Sequence, residues 1–365
     1  MQPRPSRGFG RRTAAWLVPL LVAGLVVLGG WLLEAPTAGA HPKLPSRTAF
    51  QLLTAVQTTK VTALSGTITE VARLGLPALP GADNAASLSW QTLAVGTHTA
   101  RVWIDGTERQ RLAVLGTLSE ADVIHNGRDL WTYRSQTNDV SHRVLPPATG
   151  DESGSSGPPG APPLTPAAAA AQLLKSVDPS TAVTVESSQV VAGRAAYTLV
   201  LTPRDPATTV RRVEIAIDAE RFVPLRVAVF GSGSSAAFET GFTALSFSTP
   251  PASIFDFRVP RGASVTTDPY GDPNSGGLPQ EPNGPKPAAP KVIGSGWTSI
   301  IELSASIPFG SSGGLLDKAT SPVGASGDRI LKTALVNVLM LHDGRVFLGA
   351  VTPQTLERAA ATAPR

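Results

Sequence analysis

Three patterns in this chain could carry chemistry, and each implies a different reaction. Gly310-Ser311-Ser312-Gly313-Gly314 spells G-x-S-x-G, the turn that exposes a serine nucleophile between a strand and a helix in α/β hydrolases. The flanking sequence is a glycine- and serine-rich loop, where that spelling arises by composition alone. Five histidines stand at positions 41, 98, 125, 142 and 342, none with a second ligand at helical or zinc-site spacing. His98, His125 and His142 fall on different predicted strands and could meet in space, but isolated strand histidines are the simpler reading. Gly231-Ser232-Gly233-Ser234-Ser235 approaches a phosphate-cradling loop, yet it joins two predicted strands and reads as a hairpin turn. The chain has no cysteine, which excludes disulfides, thiolate metal sites, a cysteine nucleophile and a lipidated N-terminal cysteine. We therefore expect no enzyme, no metal site and no cofactor.

The residues that remain are suited to binding. Trp103, Trp131 and Tyr133 are large aromatics of a strand meander, and Trp131 and Tyr133 share a face by period two. Ile215, Ile217, Leu225, Val227 and Val229 form the apolar side of the clearest strand-turn-strand unit, RRVEIAIDAERFVPLRVAVFG (Arg211 to Gly231). These eight side chains pack a core or line a ligand cavity, since both need an inward apolar face. Arg211, Arg212 and Arg226 could hold an anionic lipid head at the mouth of such a cavity, or form a solvated sheet face.

The elements that must position them follow from the rest of the chain. Its 365 residues include 35 Gly and 33 Pro, so one sizeable domain with turn-rich additions is expected. The net charge of +4 matches Arg4, Arg7, Arg11 and Arg12 of an acid-free N-terminal tail, residues 1–13. No basic stripe interleaved with aromatics lies beyond that tail, which sets nucleic acid aside. Residues 14–33, AAWLVPLLVAGLVVLGGWLL, carry no charge, and twenty residues at about 1.5 Å each span a hydrocarbon layer of roughly 30 Å. The arginines before them place the N-terminus inside and everything after Glu34 outside the cytoplasmic membrane, as a single-pass protein. The alternative is secretion after cleavage near Ala40, where Ala38-Gly39-Ala40 has a small-x-small pattern.

Ser46 is expected to cap a helix running to about Lys60. Strands follow from Leu64, and Asp105-Gly106, Asn126-Gly127 and Asn138-Asp139 mark successive antiparallel turns. Residues 146–163 read as a disordered insertion. Thr165-Pro166 then starts a second helix, strands resume from Ala182, and IFDFRVPRGASV (Ile254 to Val265) is expected to close the sheet. Residues 268–296 read as a Pro/Gly-rich linker. Residues 297–365 read as a β-hairpin segment with a final helix, either extending the same sheet or making a small module.

The order of these elements, with Gly193-Arg194, Ala196-Tyr197, Pro203, Ile217-Asp218, Pro224-Leu225-Arg226, Phe255, Phe257, Pro260 and Gly262, resembles the LolA-like lipoprotein-carrier superfamily. That superfamily includes the RseB/MucB regulators of envelope-stress sigma factors, and the resemblance covers residues 46–267. It implies an α+β fold, an incomplete antiparallel β-barrel (half-barrel) with helices covering its concave face, here preceded by one N-terminal transmembrane helix. It also favours the cavity reading of the eight apolar candidates, with lipid or lipoprotein acyl chains as ligand. A membrane-bound anti-sigma factor is the alternative partner. The membrane segment, the two insertions and the C-terminal β segment depart from the family pattern, so holding or sensing a ligand near the membrane is expected rather than shuttling.

Overall fold

In the computed structural model the Arg211–Gly231 hairpin lies inside a large open sheet. The structure describes residues 42–76, 90–146, 158–159, 161–162, 164–268, 290–304, 319–324 and 326–363. The stretch 14–33, the Ser312 turn and most of both Pro/Gly-rich stretches lie outside them. Among the described residues no helix is long and apolar enough to cross a membrane.

The first sheet has twelve strands: β1 (Ala63–Arg73), β2 (Val95–Asp105), β3 (Arg109–Leu115), β4 (Glu120–Asn126), β5 (Asp129–Arg134), β6 (Asp139–Val144), β7 (Thr181–Val191), β8 (Arg194–Pro203), β9 (Arg212–Asp218), β10 (Pro224–Phe230), β11 (Phe238–Ser246) and β12 (Ser264–Asp268). Their order is β12-β6-β5-β4-β3-β2-β1-β11-β10-β9-β8-β7, so the sheet does not close on itself. Every neighbouring pair is antiparallel except β12 with β6. The expected turns are present, with Gly106, Gly127 and Asn138 all at positive φ, where glycine and asparagine meet the least steric cost. In the β9–β10 turn Asp218 is fully buried, although alternation placed it on the wet side. It accepts hydrogen bonds from the Glu220 and Arg221 backbone N–H groups at 3.0 and 2.6 Å and pairs with Arg194, so the carboxylate is paired inside the turn.

Among the described residues three helices accompany this sheet. Helix α1 (Ala49–Thr58) is capped by Thr48, two residues later than expected, because Gln51 completes a capping box with it. Helix α2 (Trp90–Leu93) is a single turn. Helix α3 (Pro166–Leu174) starts as expected from Thr165, which accepts from the Ala168 N–H. Leu52 of α1 and Ala169 and Ala170 of α3 pack in one core with Tyr197, Leu199, Leu201, Val213, Ile215, Ile217, Val227 and Val229. The IFDF segment is not a strand. It makes a 3-10 turn (Ala252–Ile254), after which Phe255 is completely buried. Arg111 Nη1 and Asn126 Nδ2 donate to the Ile254 and Phe255 carbonyls at 3.3 and 3.4 Å, so side chains hold this backbone in place of a ladder.

The C-terminal part is a separate six-stranded sheet: β13 (Lys291–Ile293), β14 (Ile300–Ser304), β15 (Thr320–Val323), β16 (Asp328–Leu331), β17 (Asn337–Met340) and β18 (Arg345–Gly349), in the order β13-β14-β18-β17-β16-β15. Strand β13 falls within the stretch read as a linker. Helix α4 (Pro353–Thr362) covers this sheet with Leu356, Ala359 and Ala360. Both sheets belong to one compact unit, His41–Arg365. Trp297 lies in a 3-10 turn rather than a strand, is buried in the first sheet's core, and donates from Nε1 to Thr181 Oγ1 at 2.8 Å. The Thr209 and Ala334 N–H groups donate to the Ala350 and Leu74 carbonyls, and the Thr209 hydroxyl donates to the Leu335 carbonyl.

Close approach at this junction requires a glycine. A Cβ on Gly231 would overlap the Ala334 carbonyl oxygen, whereas one on Gly233 would meet nothing within 4 Å. Gly231→Ala should therefore cost about 1–3 kcal/mol in urea unfolding, and Gly233→Ala less than about 0.5 kcal/mol. Equal effects of the two substitutions would contradict this junction.

Candidate functional site

Strand register divides the first sheet into two unlike faces. On the helix-covered face, one cross-strand row runs Ile215–Val227–Thr240–Glu70–His98 from β9 to β2. The adjacent row places Ile68 between Phe242 and Ala100, and Ala100 opposite Val114. Gly66 lies in this floor because the Phe242 ring occupies the space where its Cβ would be. Leu64, Ile68, Ala100, Val102, Ile104, Leu112, Val114, Leu225 and Phe242 form a second core.

This floor contains one group that apolar alternation does not explain. Glu70 is 2% exposed, and among the described residues neither of its carboxyl oxygens has a hydrogen-bond partner. Burial pushes its pKa from 4.5 up to about 8, because the charged form is penalised where water is excluded. Its in-register neighbours are bonded elsewhere: His98 Nε2 lies 2.8 Å from the Val95 carbonyl, and Thr240 Oγ1 donates to the Leu164 carbonyl at 2.6 Å. The signal for Glu70 is legible in LSGTITEVA, where it stands two residues after Ile68 and two before Ala72 on the apolar side. A reading that sought ligand-sized apolar groups passed over it.

The structure distributes the eight apolar candidates over both faces. Ile215, Ile217, Val227 and Val229 lie on the helix-covered face against α1 and α3, and Leu225 joins the neighbouring core on the same face. Trp103, Trp131 and Tyr133 are half-buried on the opposite face. Trp131 stacks on His142 with ring centroids 3.8 Å apart, and Phe257 contacts both Trp131 and Tyr133. Arg111 lies over the Trp103 ring. The eight therefore do not line a common cavity, because a strand sends consecutive side chains to opposite sides.

Two of the arginine candidates, Arg212 and Arg226, belong to the opposite face. Arg226 forms a two-pronged ion pair with Glu239 at 2.8 and 3.0 Å and lies 3.7 Å from Glu214. The hydrogen bond to Glu239 holds its pKa above the usual value. Arg212 pairs with Glu214 and lies over Phe230, while Arg211 is exposed. Arg212 and Arg226 are thus engaged by carboxylates away from the apolar floor. On β4, Asp122 accepts from Arg111 Nε at 2.9 Å, yet burial pushes its pKa up to about 6.

The histidines are not brought together. His98 and His125 share the helix-covered face in different rows, and His142 lies on the other side beside Asp129 at 2.7 Å. Among the described residues no three His, Asp or Glu side chains group as metal ligands. Two shallow depressions of about 490 and 570 Å³ flank α4 and share Ile293, Ala359 and Thr362. None of the eight apolar candidates lines either one.

No family model matches this sequence, and no curated protein matches it. Among solved structures it is similar to the MucA/MucB complex structure of Pseudomonas aeruginosa, at 16% identity over 86% of this chain and 96% of that chain, with a TM-score of 0.43. It is also similar to an uncharacterized conserved protein from Thermus thermophilus, at 14% identity over 60% of this chain and 99% of that chain, with a TM-score of 0.34. A LolA superfamily protein from Nitrosomonas europaea matches at 12% identity over 58% of this chain and 99% of that chain, with a TM-score of 0.21. What the site binds is read from its own geometry.

Glu70 makes stability depend on pH in a definite direction. Its pKa is higher folded than unfolded, so its stabilising contribution is complete below 4.5 and is lost as pH rises through about 8. Glu70→Gln copies the protonated form and abolishes that loss. The variant should match the wild type in urea unfolding near pH 4.5 and exceed it by roughly 3–5 kcal/mol at pH 8.5. Asp122 contributes a second decline between 3.8 and about 6 in both proteins. Parallel pH profiles would show that Glu70 is not held neutral.

Proposed function

We propose that this chain is a non-catalytic binding protein of LolA-like type. In this reading the open sheet acts as a half-barrel, and its helix-covered face holds an acyl chain, either of a free lipid or of a lipidated protein. The domain works outside the cytoplasmic membrane, with residues 14–33 as tether.

The observation that supports this reading is the nature of the cover. On one half the cover is packed helix, with Leu52 of α1 beside Ala169, Ala170, Leu173 and Leu174 of α3. Further along the same face, the described cover over β1 to β3 is Leu93 of the one-turn α2 together with Ala161 and Leu164. The floor beneath is built of Ile, Leu, Val and Phe. Three described side chains over this floor cost less to displace than the packed helices on the other half, and an acyl chain entering beneath them would bury apolar surface in their place.

The test is native mass spectrometry of residues 41–365 purified without detergent, followed by solvent extraction. A discrete mass excess that extracts as lipid is expected. A clean apo mass, together with failure to bind a fluorescent fatty acid, would overturn the lipid reading. A protein partner such as a membrane-bound anti-sigma factor would then become the better assignment.

A further inference from the structure

The unpartnered carboxyl in the apolar floor indicates what kind of lipid the site takes. Glu70 lies in register between His98 and Thr240, whose Nε2 and Oγ1 atoms are bonded to the Val95 and Leu164 carbonyls. On its own strand Ile68 and Ala72 share its face, and Val227 follows beyond Thr240. Helices α2 (WQTL) and α3 (PAAAAAQLL) carry no ionisable side chain. On β11 the acidic Glu239 belongs to the opposite face, paired with Arg226. Among the described residues, His98 is thus the titratable neighbour on this face, and no cation reaches the carboxyl.

A buried polar group without a partner is unfavourable, and a ligand that brings the missing partner gains by supplying it. As a carboxylic acid Glu70 carries one O–H donor beside its acceptor oxygens, and as a carboxylate it has acceptors alone. An alcohol can pair with the acid form, a fatty acid anion can only accept, and an ammonium brings three donors and the charge opposite to the carboxylate. In water-excluded surroundings the charged match is the strongest of these.

Resting on the reading of this face as an acyl-chain site, we propose that Glu70 binds the positively charged nitrogen of an amphiphile whose hydrocarbon chain lies along Ile68, Ala100, Val102 and Leu112. Because burial keeps Glu70 protonated below about pH 8, binding at neutral pH expels one proton. The ammonium and the carboxylic acid become an ammonium–carboxylate pair, and the proton goes to the buffer. Affinity for the ammonium therefore rises with pH up to about 8, by at most about tenfold per pH unit, whereas affinity for an alcohol does not.

The experiment is isothermal titration calorimetry of residues 41–365 with dodecylammonium, dodecanol and dodecanoate below their micelle concentrations, in two buffers of different ionisation enthalpy. Dodecylammonium should bind at least tenfold more tightly than dodecanol at pH 7, with release of close to one proton. Glu70→Gln should abolish both the preference and the proton release. Equal binding of the three probes, or ammonium binding without proton release, would overturn the role of Glu70 and leave the acyl-chain site standing. Failure of all three to bind would remove the acyl-chain site itself. If Glu70→Gln did not fold, the wild-type comparison and its proton count would decide alone.

Discussion

An apolar face that runs across an open sheet has to be kept from water along its length, and most of this molecule follows from that requirement. The sheet ends at β12 and β7 without closing, so it cannot enclose its own apolar side as a closed barrel does. Cover comes from outside the sheet and differs along its width. Over β7 to β10 it is thick: Leu52 of α1, the alanines of α3, Trp297 and Leu335 all pack into one core. Over β1 to β3 the described cover is Leu93, Ala161 and Leu164. The half covered by α1 and α3 is where the second sheet docks.

The second sheet belongs to this arrangement through polar contacts as much as through apolar ones. Backbone groups of residues 207–209 exchange hydrogen bonds with those of 350–352, including an antiparallel bridge between Thr208 and Val351. The buried Trp297 and Leu335 sit beside groups that are hydrogen-bonded, Thr181 Oγ1 and the Leu335 carbonyl. Backbone groups at this junction are thereby paired rather than left orphaned, and the second sheet is joined to the β8–β10 side of the first.

The opposite face is stabilised by different means. There the IFDF segment crosses β3 to β5 and is held by Arg111 and Asn126. Phe255 fills a site beneath it, and Phe257 rests on Trp131 and Tyr133. Further along, Arg226, Glu214 and Glu239 form a charged network over Ala216 and Ala228. These aromatics and arginines act as a clasp on one side of the sheet. Glu70 and the apolar rows form the other.

Period-two alternation and turn dipeptides determined the strands, the β9–β10 hairpin, the meander and the start of α3, because these depend on residues close together in the chain. Position in the sheet was a different matter. The aromatics at 103, 131 and 133 and the isoleucines at 215 and 217 read alike along the chain, and only pairing across eleven strand contacts decides that they face opposite ways. IFDF has the composition of a strand, and only the carbonyl partners offered by Arg111 and Asn126 make it a strap. Glu70 already stands on the apolar side of LSGTITEVA in the sequence. Its isolation comes from Thr240 Oγ1 and His98 Nε2 bonding to the Leu164 and Val95 carbonyls, which the chain shows only once β11, β1 and β2 lie side by side.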